Sequence, residues 1–296
     1  MQMLRKIKLL GDNIKLTGDK SDTYFTDYCK EGYEFEDLVI SVCNKYIDSN
    51  NIVMDIGANI GITSLALSKI AKDGKVYSFE PSPRIYPYLV ENIKANNSHN
   101  IHPFMLAVGN SNSKIKFNHA LTFAAGSFIS ESEIDPTAFN TTCFDVDCKT
   151  LDSIAEDLQL NRIDFIKLDV EGFELEVLRG AKKTIEKFKP FWIIEFNSWT
   201  LIAFQENLPQ KALREILSIF PFVYHIDRLN GNLKLLSSEI EMMQFLHLNV
   251  TQGCVDNLLC SHTGEPNIVG NIYTPKKSFI KKLKSKLKAI VRRFIE

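Results

Sequence analysis

The residues best equipped for chemistry begin in one short unit, Ile52-Val53-Met54-Asp55-Ile56-Gly57-Ala58-Asn59-Ile60-Gly61, which runs into Ile62-Thr63-Ser64-Leu65-Ala66-Leu67. An apolar run reaches an acid, turns through small residues and enters an amphipathic helix. Nineteen residues past Gly61 a second run, Lys75-Val76-Tyr77-Ser78-Phe79, ends in Glu80-Pro81. In a doubly wound α/β domain this pairing holds an adenosine. Small residues let the ligand approach the backbone, and a carboxylate ending the next strand accepts the two ribose hydroxyls.

The spacing of the loop separates one adenosine cofactor from another. A dinucleotide needs Gly-x-Gly-x-x-Gly, so that its pyrophosphate can sit on a helix N-terminus. The order here is Asp55-x-Gly57-x-Asn59-x-Gly61. A carboxylate two residues before the first glycine repels phosphate and suits a cation such as the amino group of a methionine. Asn59 replaces a middle glycine, and Asn tolerates a left-handed backbone better than most residues. The loop therefore reads as an S-adenosylmethionine site and not a nicotinamide site.

A second constellation is Asn161-Arg162-Ile163-Asp164-Phe165-Ile166-Lys167-Leu168-Asp169-Val170-Glu171-Gly172-Phe173-Glu174. It reads as a buried strand, yet Lys167 and Asp169 fall on one face at a period of two. Charges in a central strand are expensive unless paired or used. Glu171 and Glu174 follow at the start of a helix, where carboxylates also suit the helix dipole. The next strand, Phe191-Trp192-Ile193-Ile194-Glu195-Phe196-Asn197, carries another acid toward the same rim. Asp55, Glu80, Asp169 and Glu195 thus end four expected parallel strands, a rim suited to cationic or hydroxylated ligands. Asp169 or Glu171 is the candidate general base, with Lys167 an alternative if its pKa is depressed. A carboxylate pair could also hold Mg²⁺, but the sequence carries no decisive metal signature. His119 is a further candidate base.

Those motifs, with Leu151-Asp152, Leu178-Arg179-Gly180-Ala181 and Ile194-Glu195, resemble the FkbM-type methyltransferases in order and spacing over about residues 33–200. The resemblance implies the class I S-adenosylmethionine-dependent methyltransferase fold, Rossmann-like, and O-methylation of sugars, surface glycans or polyketide-type products. It places Asp55, Gly57, Asn59 and Gly61 at the methionine end, Glu80 on the ribose and Ala107-Val108 near the adenine. Lys167, Asp169, Glu171 and Glu195 would face the acceptor. It does not name that acceptor.

The elements that must position these residues follow from periodicity. Helices are expected at about 34–46, 62–70, 83–96, 151–158, 173–187 and 209–219. Strands are expected at 52–56, 75–80, 101–108, 143–148, 163–169, 191–195, 222–226 and 255–260, with Asn230-Gly231 marking a hairpin. This predicts an α/β, doubly wound, mostly parallel seven-stranded sheet with an antiparallel edge hairpin. Residues 1–33 read as an N-terminal cap, 34–265 as the methyltransferase domain and 276–296 as a separate helix. The irregular stretch 111–142 is either a lid over substrate or a surface excursion with its own hairpin.

The near-zero net charge of −1 conceals an asymmetry: residues 276–296 hold nine Lys/Arg against one acid, which leaves the rest of the chain at −9. An acidic body argues against nucleic acid as a partner. In the tail Phe279, Ile280, Leu283, Leu287, Ile290, Val291 and Phe294 recur at helical spacing among the cations, the pattern of a helix lying on an anionic membrane. The alternative is that helix docking on the acidic body, or in an oligomer. The six cysteines form no Cys-x-x-Cys or zinc pattern, and no apolar run resembles a signal peptide or a membrane span. A cytoplasmic enzyme, peripheral on the inner face of the plasma membrane, is the expectation. The expected reaction is S-adenosylmethionine-dependent O-methylation of a saccharide in surface or lipid-linked glycan assembly. Its competitors are methylation of a small lipid or polyketide hydroxyl, and a non-catalytic glycan- or partner-binding subunit.

Overall fold

The computed structural model describes residues 2–35, 38–130 and 140–264. The expected C-terminal helix 276–296 and residues 131–139 of the irregular stretch 111–142 lie outside them. Eight strands form the central sheet, in the spatial order Leu233–Leu235, Phe222–Ile226, Val255–Ser261, Phe191–Asn197, Phe165–Leu168, Ile52–Ile56, Lys75–Phe79, Ile101–Phe104. The five from Phe191–Asn197 to Ile101–Phe104 run parallel. Val255–Ser261 inserts antiparallel between Phe191–Asn197 and Phe222–Ile226. The short strand Leu233–Leu235 completes an antiparallel edge hairpin, so the sheet has one strand more than the seven expected.

The parallel strands are buried on both faces, which is why they read as continuous apolar runs. Met54, Ile56, Ile166, Leu168 and Ile194 pack on one side of the sheet. Val53, Phe165, Ile193 and Leu259 pack on the other. Asp55 and Lys167 stand directly opposite each other in register on that second face, and each is at most 7% exposed. Their pairing is therefore a consequence of strand register and alternation.

Several expected elements are corrected. The strand 101–108 is two pieces: Ile101–Phe104 stays in the central sheet, while Ala107–Gly109 pairs with Cys148–Thr150. That contact belongs to a second, four-stranded sheet, in the order Ala107–Gly109, Thr141–Thr150, Ser113–Ala120, Phe128–Ile129. The helix 173–187 breaks into Glu174–Arg179 and Lys182–Phe188. Gly180 at the break packs so tightly that a Cβ would lie 2.0 Å from the Gly109 carbonyl oxygen. The first expected helix begins only at Leu38, because Glu34–Phe35 pairs as a strand with Lys8–Leu9. Ahead of it, Gln2–Leu9 and Asp12–Asp19 form a hairpin, followed by a helix Thr23–Tyr28. Helices Ser198–Gln205 and Glu239–Thr251 were not foreseen.

Candidate active site

One cavity opens at the C-terminal ends of the parallel strands, where such sheets bind ligands. Gly57, Asn59, Glu80, Ala107, Val108, Lys167, Asp169, Glu171 and Glu195 all border it. Of the residues singled out from sequence, Asp55 and Gly61 do not. Asp55 is completely buried; its Oδ2 accepts from Ser64 Oγ at 2.6 Å, and its Oδ1 has no hydrogen-bond partner. Gly61 caps the helix Ile62–Ile70 with a φ of 93°, and a Cβ there would meet Leu89 Cδ1 at 2.6 Å. Both support the loop from behind.

The loop itself is shaped by two close approaches. Gly57 has a φ of +88°, and a Cβ on it would lie 1.7 Å from the Asp169 carbonyl oxygen. Only glycine fits both the dihedral and the space. Asn59 adopts the left-handed conformation expected of it, with φ 51°. Its backbone N–H donates to Glu80 Oε2 at 2.9 Å, while Ser82 N–H donates to Glu80 Oε1 at 2.8 Å. Burial pushes the Glu80 carboxyl up to about 7, against the pull of those two amides. Each carboxylate oxygen retains acceptor capacity after one amide bond. This glycine cradle beside a carboxylate with free lone pairs fits the methionine and ribose parts of S-adenosylmethionine.

At the other end of the cavity Lys167 Nζ donates to Asp169 Oδ2 at 2.8 Å and stands 3.9 Å from Asp55 Oδ1. Burial alone would lower the lysine's pKa, but Asp169 and then Asp55 outweigh it and hold Lys167 above its ordinary value. The expectation that Lys167 could serve as a base through a depressed pKa is therefore corrected: it is a buried, ion-paired ammonium. Carboxylate oxygens of Asp169, Glu171 and Glu195 lie within 4.8 Å of one another. Burial raises Glu171 well above the usual range, followed by the Asp169 and Glu174 charges. Glu195 is raised likewise, by burial and then by Asp169 and Glu171. Glu171 sits at φ 53° and accepts from Asn197 Nδ2 at 3.4 Å.

Glu174 is not at the cavity; its Oε1 accepts from Val170 N–H and Gly172 N–H at 3.0 and 3.2 Å, fixing the loop that carries Glu171. His119 does not border the cavity either. It is 5% exposed, its Nδ1 lies 3.2 Å from Ser82 Oγ, and burial takes its pKa down to about 4. The stretch 111–130 supplies part of the cavity wall through Phe117, Ala124, Ala125, Ser127 and Ile129. Sequence reasoning also missed Tyr24, which reaches the cavity from the N-terminal segment and carries no local motif that would announce it.

Residues 55–230 match the model of the methyltransferase FkbM domain. The chain belongs to the FkbM methyltransferase family. An FkbM chain of this kind is an enzyme, an S-adenosylmethionine-dependent methyltransferase, and the match spans the glycine loop, Glu80 and all four cavity charges. The chain is 25% identical over 187 residues to the 2-O-methyltransferase NoeI of Sinorhizobium fredii, covering 60% of this chain and 75% of that one. It is 27% identical over 197 residues to the hexuronic acid methyltransferase AglP of Haloferax volcanii, covering 66% and 73%. Among solved structures, a fibrillarin pre-rRNA processing protein of Methanococcus jannaschii aligns at 14% identity with a TM-score of 0.42, covering 88% and 84%. Among the described residues, no helix is long and apolar enough to cross a membrane.

Proposed function

We propose that this FkbM methyltransferase transfers a methyl group to a hydroxyl of a saccharide during surface-glycan or lipid-linked glycan assembly. The observation that carries the reading is the three-carboxylate wall of Asp169, Glu171 and Glu195 in the same cavity as the glycine loop and Glu80. Such a wall offers acceptors to several hydroxyls at once. The names of the two relatives, a 2-O-methyltransferase and a hexuronic acid methyltransferase, support it.

Gly57 and Asn59 would hold the methionine part of S-adenosylmethionine, Glu80 the ribose, and Ala107 with Val108 the adenine. Bound there, the cofactor supplies an activated methyl group on a sulfonium sulfur. The chain's own residues align the acceptor oxygen and take up its proton. Glu171 is the base. It borders the cavity, a raised pKa makes its ionised form the stronger base, and Lys167 occupies Asp169 instead. Glu195 orients a neighbouring hydroxyl, and the hydrogen bond from Lys167 holds Asp169 in place. As the acceptor oxygen takes the methyl group that bound S-adenosylmethionine would supply, its hydroxyl proton would pass to the Glu171 carboxylate.

The reaction takes place at the cytoplasmic leaflet, with the basic segment 276–296 on anionic lipid. The apolar side of the cavity, with Phe117 and Ile129, favours a second reading in which the hydroxyl belongs to a small lipid or polyketide. Following S-adenosylhomocysteine release with panels of hexosides, hexuronosides and hydroxylated lipids separates the two. Turnover on the sugars, lost in Glu171→Gln, is the expected result. Turnover on the lipids alone contradicts the saccharide reading.

A further inference from the structure

The N-terminal segment 2–35 lies outside the matched domain, yet it forms part of the cavity wall. Its attachment is specific. Thr17 N–H donates to Asn92 Oδ1 at 2.6 Å, and Asn92 Nδ2 donates to the Ile60 carbonyl at 2.8 Å, which ties the hairpin to the cofactor loop. The Thr23 N–H donates to the Thr122 carbonyl at 2.8 Å. Asp22, 4% exposed, accepts through Oδ1 from both Tyr24 N–H and Ala124 N–H, at 3.0 and 3.1 Å. One carboxylate thus caps the helix Thr23–Tyr28 and holds the short helix Ala124–Gly126, which also borders the cavity.

What this clasp presents is aromatic. Tyr24 and Tyr28 stack with centroids 5.5 Å apart, and Phe123 meets Tyr24 edge-on at 6.2 Å and 77°. Tyr24 faces the cavity, while Phe123 is 40% exposed and Leu121 beside it 38%. Of the three rings Tyr24 lines the cavity and Phe123 against it is the exposed one; exposed apolar side chains beside a site mark ligand contacts. The glycine loop and Glu80 lie within the same cavity, so Tyr24 on its wall and the exposed Phe123 beside it face the component that arrives from outside.

We propose that Tyr24, Tyr28 and Phe123 form a platform for a pyranose ring of the acceptor, so that a segment outside the family domain selects the substrate. A pyranose has an apolar face of axial C–H groups, which the electron-rich face of an aromatic ring attracts. Its hydroxyls lie at the rim, where Asp169, Glu171 and Glu195 accept them. The inference rests on the saccharide reading above and extends it to residues that reading does not use.

Two readouts on the full chain test it. Saturation-transfer NMR of methyl hexosides and hexuronosides, added to the protein with S-adenosylhomocysteine, reports ring contact without turnover. Turnover on the same panel reports KM. Wild type should saturate the ring protons of at least one glycoside. Tyr24→Ala and Phe123→Ala should each lose that contact and raise KM roughly tenfold, Tyr24→Phe should restore it, and S-adenosylhomocysteine affinity should stay within about twofold. Contact without turnover would leave the platform standing and remove the methylation reading. Absence of sugar contact in wild type, or loss of S-adenosylhomocysteine affinity in Tyr24→Ala at constant acceptor KM, would overturn the platform.

Discussion

Lys167 Nζ donates to Asp169 Oδ2 at 2.8 Å from a side chain only 9% exposed, and on its other side stands Asp55, which has no exposure at all. The lysine is the counter-ion of the rim. Removing it leaves Asp55 as a buried charge with only the Ser64 hydroxyl bound to it. Lys167→Met should therefore lower unfolding free energy by about 3–5 kcal/mol, as breaking a buried pair does. Urea denaturation measures this. A loss below about 1 kcal/mol with activity abolished would instead place Lys167 in the chemistry.

The proposed ribose-binding role of Glu80 links pH to cofactor affinity. With its carboxyl pushed up to about 7, much of the free enzyme is protonated there below neutrality. Ribose hydroxyls donate best to the ionised form, so binding must release that proton. S-adenosylhomocysteine affinity should rise with pH and level off above about 7, and Glu80→Gln should remove this dependence. A wild-type profile that is flat from pH 5 to 8 contradicts the assignment.

Glu174 makes the corresponding prediction for stability. Burial raises its folded-state pKa from 4.5 to about 7, so between those values the native state binds more protons than the unfolded chain. The sign is therefore negative: Glu174's contribution falls as pH rises from about 4.5 to 7. Thermal midpoints of wild type and Glu174→Gln, compared across that range, should shift steadily in the variant's favour. A difference that does not change with pH removes Glu174 as a titrating group.

Much of the rim was legible because its signals are local. Acids ending apolar runs mark strand ends in a parallel sheet, and the four strands bearing Asp55, Glu80, Asp169 and Glu195 do lie side by side. What stayed hidden depends on partners distant in sequence. Asp55 looks like a ligand-facing acid until strand register sets it against Lys167. Lys167 looks available until two carboxylates flank it. The break at Gly180 follows from Gly109, seventy-one residues earlier. The hairpin Gln2–Leu9 with Asp12–Asp19 is blurred in the sequence because Leu4, apolar but exposed, interrupts its alternation and Leu10, also exposed, occupies the turn. Tyr24 is brought to the cavity by contacts distant in sequence, among them Asp22–Ala124 and Thr23–Thr122.

The basic segment makes a separate prediction. Nine cations over residues 276–296 would each contribute on the order of 1 kcal/mol near an anionic surface, which makes this segment the proposed membrane anchor. A chain ending at residue 275 should stay in solution when sedimented with phosphatidylglycerol vesicles, whereas the full chain should pellet, and both should bind S-adenosylhomocysteine equally. Equal pelleting of the two chains would show that the segment is not the anchor.

The central claim is that the glycine loop and Glu80 hold S-adenosylmethionine, and calorimetric titration tests it most directly. S-adenosylmethionine, S-adenosylhomocysteine and NAD would be titrated into wild type and Glu80→Ala. The first two should bind wild type and NAD should not, and Glu80→Ala should weaken both about 10- to 100-fold, the loss of hydrogen bonds to a charged acceptor. Binding of NAD alone, or S-adenosylmethionine binding that Glu80→Ala leaves unchanged, would contradict the account.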